Sequence, residues 1–281
     1  MSDGRDAAAA SDEPTGAPGE TDGGYPASGG LDREAGAPLT GPRLLRAGAL
    51  ELRRRPSVVL AMVLAGLAVA VVDWVRLVDP VPVVAFEGLS AGRVMVHYGV
   101  TASVPAGVTT MPSALAGLKP GWLVWVATLE LFRGAAIAAA GVYAFATLLD
   151  VEPTRAAVAR YGVVFGADAL LRTFAPAADV SLLVGIPFVV LFLYVVVRLV
   201  ALPAVLVQGR SIGDAIGRSW RLASGHGWPL AGVVVLVGLA VFLAASAPVG
   251  GPVVASVVAA LQVGTVAAFV RRAGEGSSVA A

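Results

Sequence analysis

The chain has 281 residues, 57% of them hydrophobic and only 14% charged, with a mean hydropathy of +0.81. A soluble globular domain carries about 25% charged residues, so there are too few polar groups to cover a water-facing surface, and much of that surface is expected to face lipid. A net charge of +1 gives no basic field for nucleic acid, the lack of cysteine excludes disulfides, thiolate metal sites and a cysteine nucleophile, and two histidines, His97 and His226, are too few and too far apart for a metal cluster.

Residues 1–40 are rich in Gly, Ala, Pro, Ser and acid and nearly devoid of large apolar side chains. Such a segment cannot bury enough surface to offset its ordering entropy, so a disordered acidic N-terminal tail is expected. A charged start followed by an apolar run is missing, so it does not read as a signal peptide. Lys119 is the sole lysine among 20 basic residues. That bias, with abundant Ala, Gly and Val, points to a GC-rich genome, and the acidic tail suits a salt-loving archaeal host.

Residues 41–55, GPRLLRAGALELRRR, change character. Leu45, Ala49 and Leu52 recur at helical spacing, and Arg53, Arg54 and Arg55 lead into Pro56, a residue suited to the first turn of a helix. A short amphipathic helix on the membrane surface, feeding a first span, is predicted.

Six apolar stretches follow, at about 56–78, 121–149, 158–176, 180–207, 228–246 and 252–270. Each approaches the roughly 20 residues that cross about 30 Å of hydrocarbon. The fold class predicted is therefore all-α, a polytopic transmembrane bundle of six spans over residues 41–272, with a flexible tail at 273–281. The fourth stretch carries Pro187 and Pro203, and the APVGGP turn at 247–252 joins the last two as an antiparallel hairpin. The third is the most polar, interrupted by Asp168 and Arg172; an alternative with five spans makes 158–176 interfacial and inverts everything after it.

Arginine placement favours six. With both termini cytoplasmic in a multi-pass cell-membrane protein, the inner side receives Arg43, Arg46, Arg53, Arg54, Arg55, Arg155, Arg160, Arg210, Arg218, Arg221, Arg271 and Arg272. The outer connections receive Arg93 and Lys119, both in the long loop 79–120. This is the positive-inside distribution. The outer loop holds β-prone stretches such as 94–98 and a PSALAGL run at 112–118 with the makings of a short interfacial helix. Loops of this length are usually functional or disordered.

Between spans four and five, Ser211 and Asp214 resemble a capping box. Asp214, Arg218 and Arg221 share one face of the helix that follows, and Ile212, Ala215, Ile216, Ser219 and Ala223 line the other. An amphipathic helix at the inner interface is predicted, anchored by Trp220 and Trp228. The run LPAVLVQGRSIGDAIGRSWRLASGHGWPL resembles the membrane domain associated with glycerophosphoryl diester phosphodiesterases and related archaeal membrane proteins of unknown function, with Asp214, Ala215, Ser219, Trp220 and Leu222 matching its pattern. The resemblance implies a membrane module without the catalytic domain, whose paired histidines and acidic residues are missing from this chain.

Charged residues inside apolar spans are costly and normally paired. Asp73 with Arg76, Glu130 with Arg133, and Asp168 with Arg172 each place opposite signs three or four residues apart, so each pair is expected to neutralise itself on its own helix. Arg198 has no such charged neighbour and is expected to snorkel to the headgroups. The plainer role for these groups is an internal salt bridge; the sharper one is a polar pathway through Glu130, Arg133, Asp168 and Arg172. No phosphate loop or nucleophile elbow is evident, so no enzymatic activity, cofactor or metal is expected. The leading expectation is a membrane scaffold or accessory subunit, with the lipid bilayer, a membrane protein or a second copy as partner. A small-solute or ion transporter is the alternative.

Overall fold

The computed structural model describes residues 39–86, 98–102, 104–110, 112–174, 182–247 and 250–278, which are mostly helical. Met1–Pro38 and Leu39–Ala281 form separate units. The first, on which the expected tail falls, lies outside the described residues.

Helix starts follow proline. α1 spans Gly41–Arg54 and α2 spans Pro56–Val78, each with a proline in its first two positions, where the missing N–H would be unsatisfied anyway. The elbow between them is held by Arg55, whose guanidinium pairs with Asp150 at 2.7 Å and donates to the Thr147 carbonyl. The apolar face of α1 differs from expectation: Leu44, Gly48 and Leu52 are buried and Ala49 is exposed. This stripe seats α1 against α10 and α9. The reason is a close backbone approach. A Cβ on Gly48 would lie 2.6 Å from the Thr265 nitrogen, and one on Gly264 would lie 2.9 Å from the Gly48 carbonyl oxygen. Small residues let helices pack tightly where lipid supplies no hydrophobic drive.

α2 buries a stripe from Val58 through Met62, Val69 and Val72 to Asp73 and Arg76. Leu60, Leu64, Leu67 and Val71 remain exposed. Within the segment that follows, β1 (Val84–Ala85) pairs antiparallel with β2 (Val108–Thr109), and α3 (Pro112–Leu115) forms inside the PSALAGL run. α4 spans Pro120–Leu149 and stops at Asp150, which takes a left-handed φ of 54°, a conformation that Asp tolerates better than most residues.

α5 spans Arg155–Phe174. α6 (Leu182–Leu199) and α7 (Leu202–Val207) replace the single helix expected at 180–207. Pro203 has no N–H to offer the Leu199 carbonyl and its ring crowds it, so the helix stops there and restarts. Pro187, near the start of α6, leaves that helix continuous. α8 (Ile212–Ala223) begins at a capped Ser211, and α9 (Gly227–Ala245) and α10 (Gly251–Ser278) form the expected hairpin. Gly250 has a φ of 74°, which favours glycine. α10 continues beyond residue 272 to Ser278, and Ala273 still packs on the core.

α10 contacts α1, α2, α4 and α9 and is the hub of the bundle. Among the described residues, five helical stretches are long and apolar enough to cross a membrane: Pro56–Val78, Pro120–Leu149, Val190–Val207, Gly227–Ala245 and Gly251–Gly274. The third expected span, 158–176, does not qualify. Its helix, α5, carries Arg155, Arg160, Asp168 and Arg172 within 20 residues, and those charges cancel its apolar character.

Candidate functional site

The charged residues of the first two long helices meet across their interface. Arg133 of α4 reaches Asp73 of α2 at 2.6 Å and Glu130 of its own helix at 3.0 Å. The second carboxylate oxygen of Asp73 accepts the Gly107 N–H at 2.7 Å. Asp73 thus binds a neighbouring helix and the inter-helix segment at once, and the expected Asp73–Arg76 pair is not formed. Arg76 turns instead to Asp79 at 2.9 Å and to the Thr110 hydroxyl. Local spacing offers Asp73 the pairing with Arg76, and the fold supplies the one with Arg133, 60 residues away. The buried site selects the one that also satisfies its second oxygen, because an unpaired acceptor in low dielectric is costly.

The β1–β2 ribbon returns the chain toward this seam, with the Phe86 N–H donating to the Gly107 carbonyl at 2.7 Å. The stretch before β2 folds inward. Tyr98, Thr101, Ala102 and Val104 are buried and belong to no helix. The Gln262 side-chain amide donates to the Gly99 carbonyl at 3.0 Å. Gln262 lies near the middle of the Gly251–Gly274 stretch, about 16 Å of helical rise from its start. The Thr101 hydroxyl donates to Asp168 of α5 at 3.0 Å. The loop expected on the outer side therefore reaches the middle of the length of α10, where α5 and α10 meet it with polar groups. Burial drives the Tyr98 phenol above its ordinary range, opposed in part by the Gln262 amide.

α5 presents Tyr161 on the same side, its buried hydroxyl against Gly141 of α4, where a Cβ would collide with it. Arg160 donates to the Gly209 and Arg210 carbonyls at 3.0 and 3.1 Å. α5 therefore connects the α7–α8 turn at one end to the in-folded loop further along. Arg172 lies in α5 with its side chain outside the described residues, and His97 lies outside the described residues altogether.

Arg198 is held rather than loose. Its guanidinium lies 5.2 Å from the Tyr194 ring and 5.3 Å from the Trp220 ring and donates to Ser224 at 3.0 Å. Tyr194 sits one turn back on the same helix, so Arg198 has an aromatic partner where a charged one was sought. The Ser219 hydroxyl donates to the Arg198 carbonyl at 2.8 Å, fastening α8 to α6. On α8, Asp214 takes the Ser211 hydroxyl at 2.6 Å and makes no ion pair with Arg218. Ser211 competes for the carboxylate because capping brings the two together. Ala215, Ser219 and Ala223 form the buried face, whereas Ile216 and Trp220 are exposed and Arg221 stands outside.

Asp79, Thr101, Gly107, Tyr161 and Gln262 were not singled out by sequence reasoning. Gln262 carried a signal, an amide inside an apolar run; Thr101 and Gly107 carried none. Among the described residues, no group of three or more His, Asp or Glu side chains is placed to hold a metal ion. No protein-family model matches the chain, and neither does any curated protein or any solved structure.

Proposed function

We propose that the chain is a multi-pass membrane protein of the transport class, with residues 98–102 closing a polar route between α5 and α10. The observation that carries this reading is irregular backbone buried midway along α10, against Asp168 and Gln262. Non-helical chain at membrane depth is tolerated where protein buries it or where it lines a water-filled path, and intramembrane ionisable groups mark solute routes. In this reading α5 is a sixth span, supported by its bridging of the α7–α8 turn and the in-folded loop. Arginine distribution then puts both termini and α8 on the cytoplasmic side.

The natural chain has no cysteine, so Ala102→Cys provides a clean test in reconstituted vesicles. The proposal expects modification by a small hydrophilic thiol reagent and a protein-dependent flux within a panel of small ions and organic anions. A cysteine inert from both sides, with fluxes equal to protein-free vesicles, overturns it.

A scaffold or accessory subunit is the second reading. It is favoured by the ion pairs of Arg133 with Asp73 and Glu130 and of Arg76 with Asp79, which form without a solute. The resemblance of the 202–230 run to the membrane domain associated with glycerophosphoryl diester phosphodiesterases is compatible with this reading, since it implies a membrane module apart from the catalytic domain. Cross-linking in membranes that traps a stoichiometric second protein favours it; recovery of this chain alone counts against it.

A further inference from the structure

We infer that the elbow between α1 and α2 is a binding site for one anionic phospholipid, its phosphate on Arg53 and one acyl chain along the first two turns of α2. A shallow, open depression of about 530 Å³ lies there, lined by Leu52, Arg53, Pro56, Val59, Leu60 and Val63. All of its lining but Arg53 is apolar. From Pro56 to Val63 the floor runs about 10 Å along the helix axis, so a chain laid in it starts at the arginine and points into the span.

The charge at the rim fits an anion. Arg55, the nearest arginine inside the elbow, is already committed to Asp150, Glu51 and the Thr147 carbonyl. Glu51 in turn is held by Arg271 at 2.7 Å. The local carboxylates are therefore neutralised by other arginines, and Arg53 and Arg54 face outward with no ion pair or hydrogen bond among the described residues. A cation at one end of an apolar trough matches an amphiphile with a negative head. A zwitterionic headgroup carries the same phosphate but sets a choline cation beside the arginine, so it binds more weakly, and free phosphate satisfies the arginine but not the trough. This assignment does not depend on whether the in-folded loop conducts.

The test uses the full-length protein, delipidated in a neutral detergent, with phosphatidylglycerol, phosphatidylcholine and inorganic phosphate as separate probes. Native mass spectrometry counts bound lipid and thermal melting reads stabilisation. One phosphatidylglycerol is expected to bind in preference to phosphatidylcholine. Arg53→Gln is expected to weaken phosphatidylglycerol by about fivefold, the equivalent of about 1 kcal/mol per basic side chain at an anionic surface, and to weaken phosphatidylcholine less. Val63→Trp, which fills the trough, is expected to weaken both lipids. Arg210→Gln, in the distant α7–α8 turn, is expected to leave binding unchanged. If a variant does not fold, the wild-type melting shift must still be larger with phosphatidylglycerol than with phosphatidylcholine. Equal binding of the two lipids, a full effect from inorganic phosphate alone, insensitivity to Arg53→Gln, or a second copy of the chain occupying the depression each overturns the assignment.

Discussion

Asp73 on α2 and Arg133 on α4 meet at 2.6 Å, both largely buried, and the carboxylate also accepts the Gly107 N–H. Asp73→Asn keeps the shape but leaves Arg133 with Glu130 alone. Removing one partner of a buried pair costs about 3 kcal/mol, reduced here by the remaining carboxylate. Melting of the variant in detergent is expected to be clearly lower, and a cycle with Arg133→Gln is expected to show coupling of about 1–3 kcal/mol. Additive losses from the two changes would show that the pair does not act as a unit.

Glycines at two helix positions are expected to respond in opposite directions. Gly48→Ala places a methyl 2.6 Å from the Thr265 backbone nitrogen, and backbone cannot step aside cheaply. A loss of about 1–3 kcal/mol is expected from overpacking. Gly213→Ala, in α8 with open space around it, is expected to stabilise its helix by up to about 1 kcal/mol. Thermal unfolding of the two variants side by side checks the sign; a stabilised Gly48→Ala contradicts the α1–α10 contact.

Gln262→Leu removes the donor to the Gly99 carbonyl. An orphaned buried acceptor costs about 1–3 kcal/mol, and here the strain falls on the in-folded loop rather than on α10. Faster thiol labelling of Ala102→Cys in the Gln262→Leu background, with global melting shifted less than by Asp73→Asn, is the expected pattern. Unchanged labelling would show that the amide does not hold the loop.

Ser211 caps α8 by accepting the Asp214 N–H at 3.2 Å. Ser211→Ala is expected to cost about 1 kcal/mol, read as faster amide exchange in the first turn of α8 with α9 and α10 unchanged. Ser211→Gly should lose only a few tenths of that scale, which separates loss of the cap from loss of a helical residue.

Short-range signals were readable in the sequence and long-range ones were not. Pro56 and the apolar run behind it mark α2 as the structure has it, and Ser211 with Asp214 marks the start of α8. The rule that opposite charges three residues apart find each other holds for Arg133 with Glu130 and fails for Asp73, whose partner is 60 residues away. Gly99 and Gln262 are 163 residues apart; no periodicity links them, so a loop entering the bundle reads the same as one lying outside. Pro187 and Pro203 look alike in composition, but only Pro203 coincides with a break, just past the carbonyl it cannot serve. The buried stripe of α1 was displaced by one position because Gly48 carries no hydropathy to count, although it makes the closest approach on that helix.

The seating of α1 on α10 also constrains the order in which the molecule is built. The surface that receives Gly48 and Leu52 comes from Gly264 and Thr265, which leave the ribosome more than 200 residues later. Until then α1 has no permanent seat, and insertion must proceed with that segment waiting in the nascent protein. Release of the C-terminal hairpin is therefore the event that completes the bundle, and a ribosome stalled within α9 should leave a membrane-inserted intermediate whose first helix is still open to proteases.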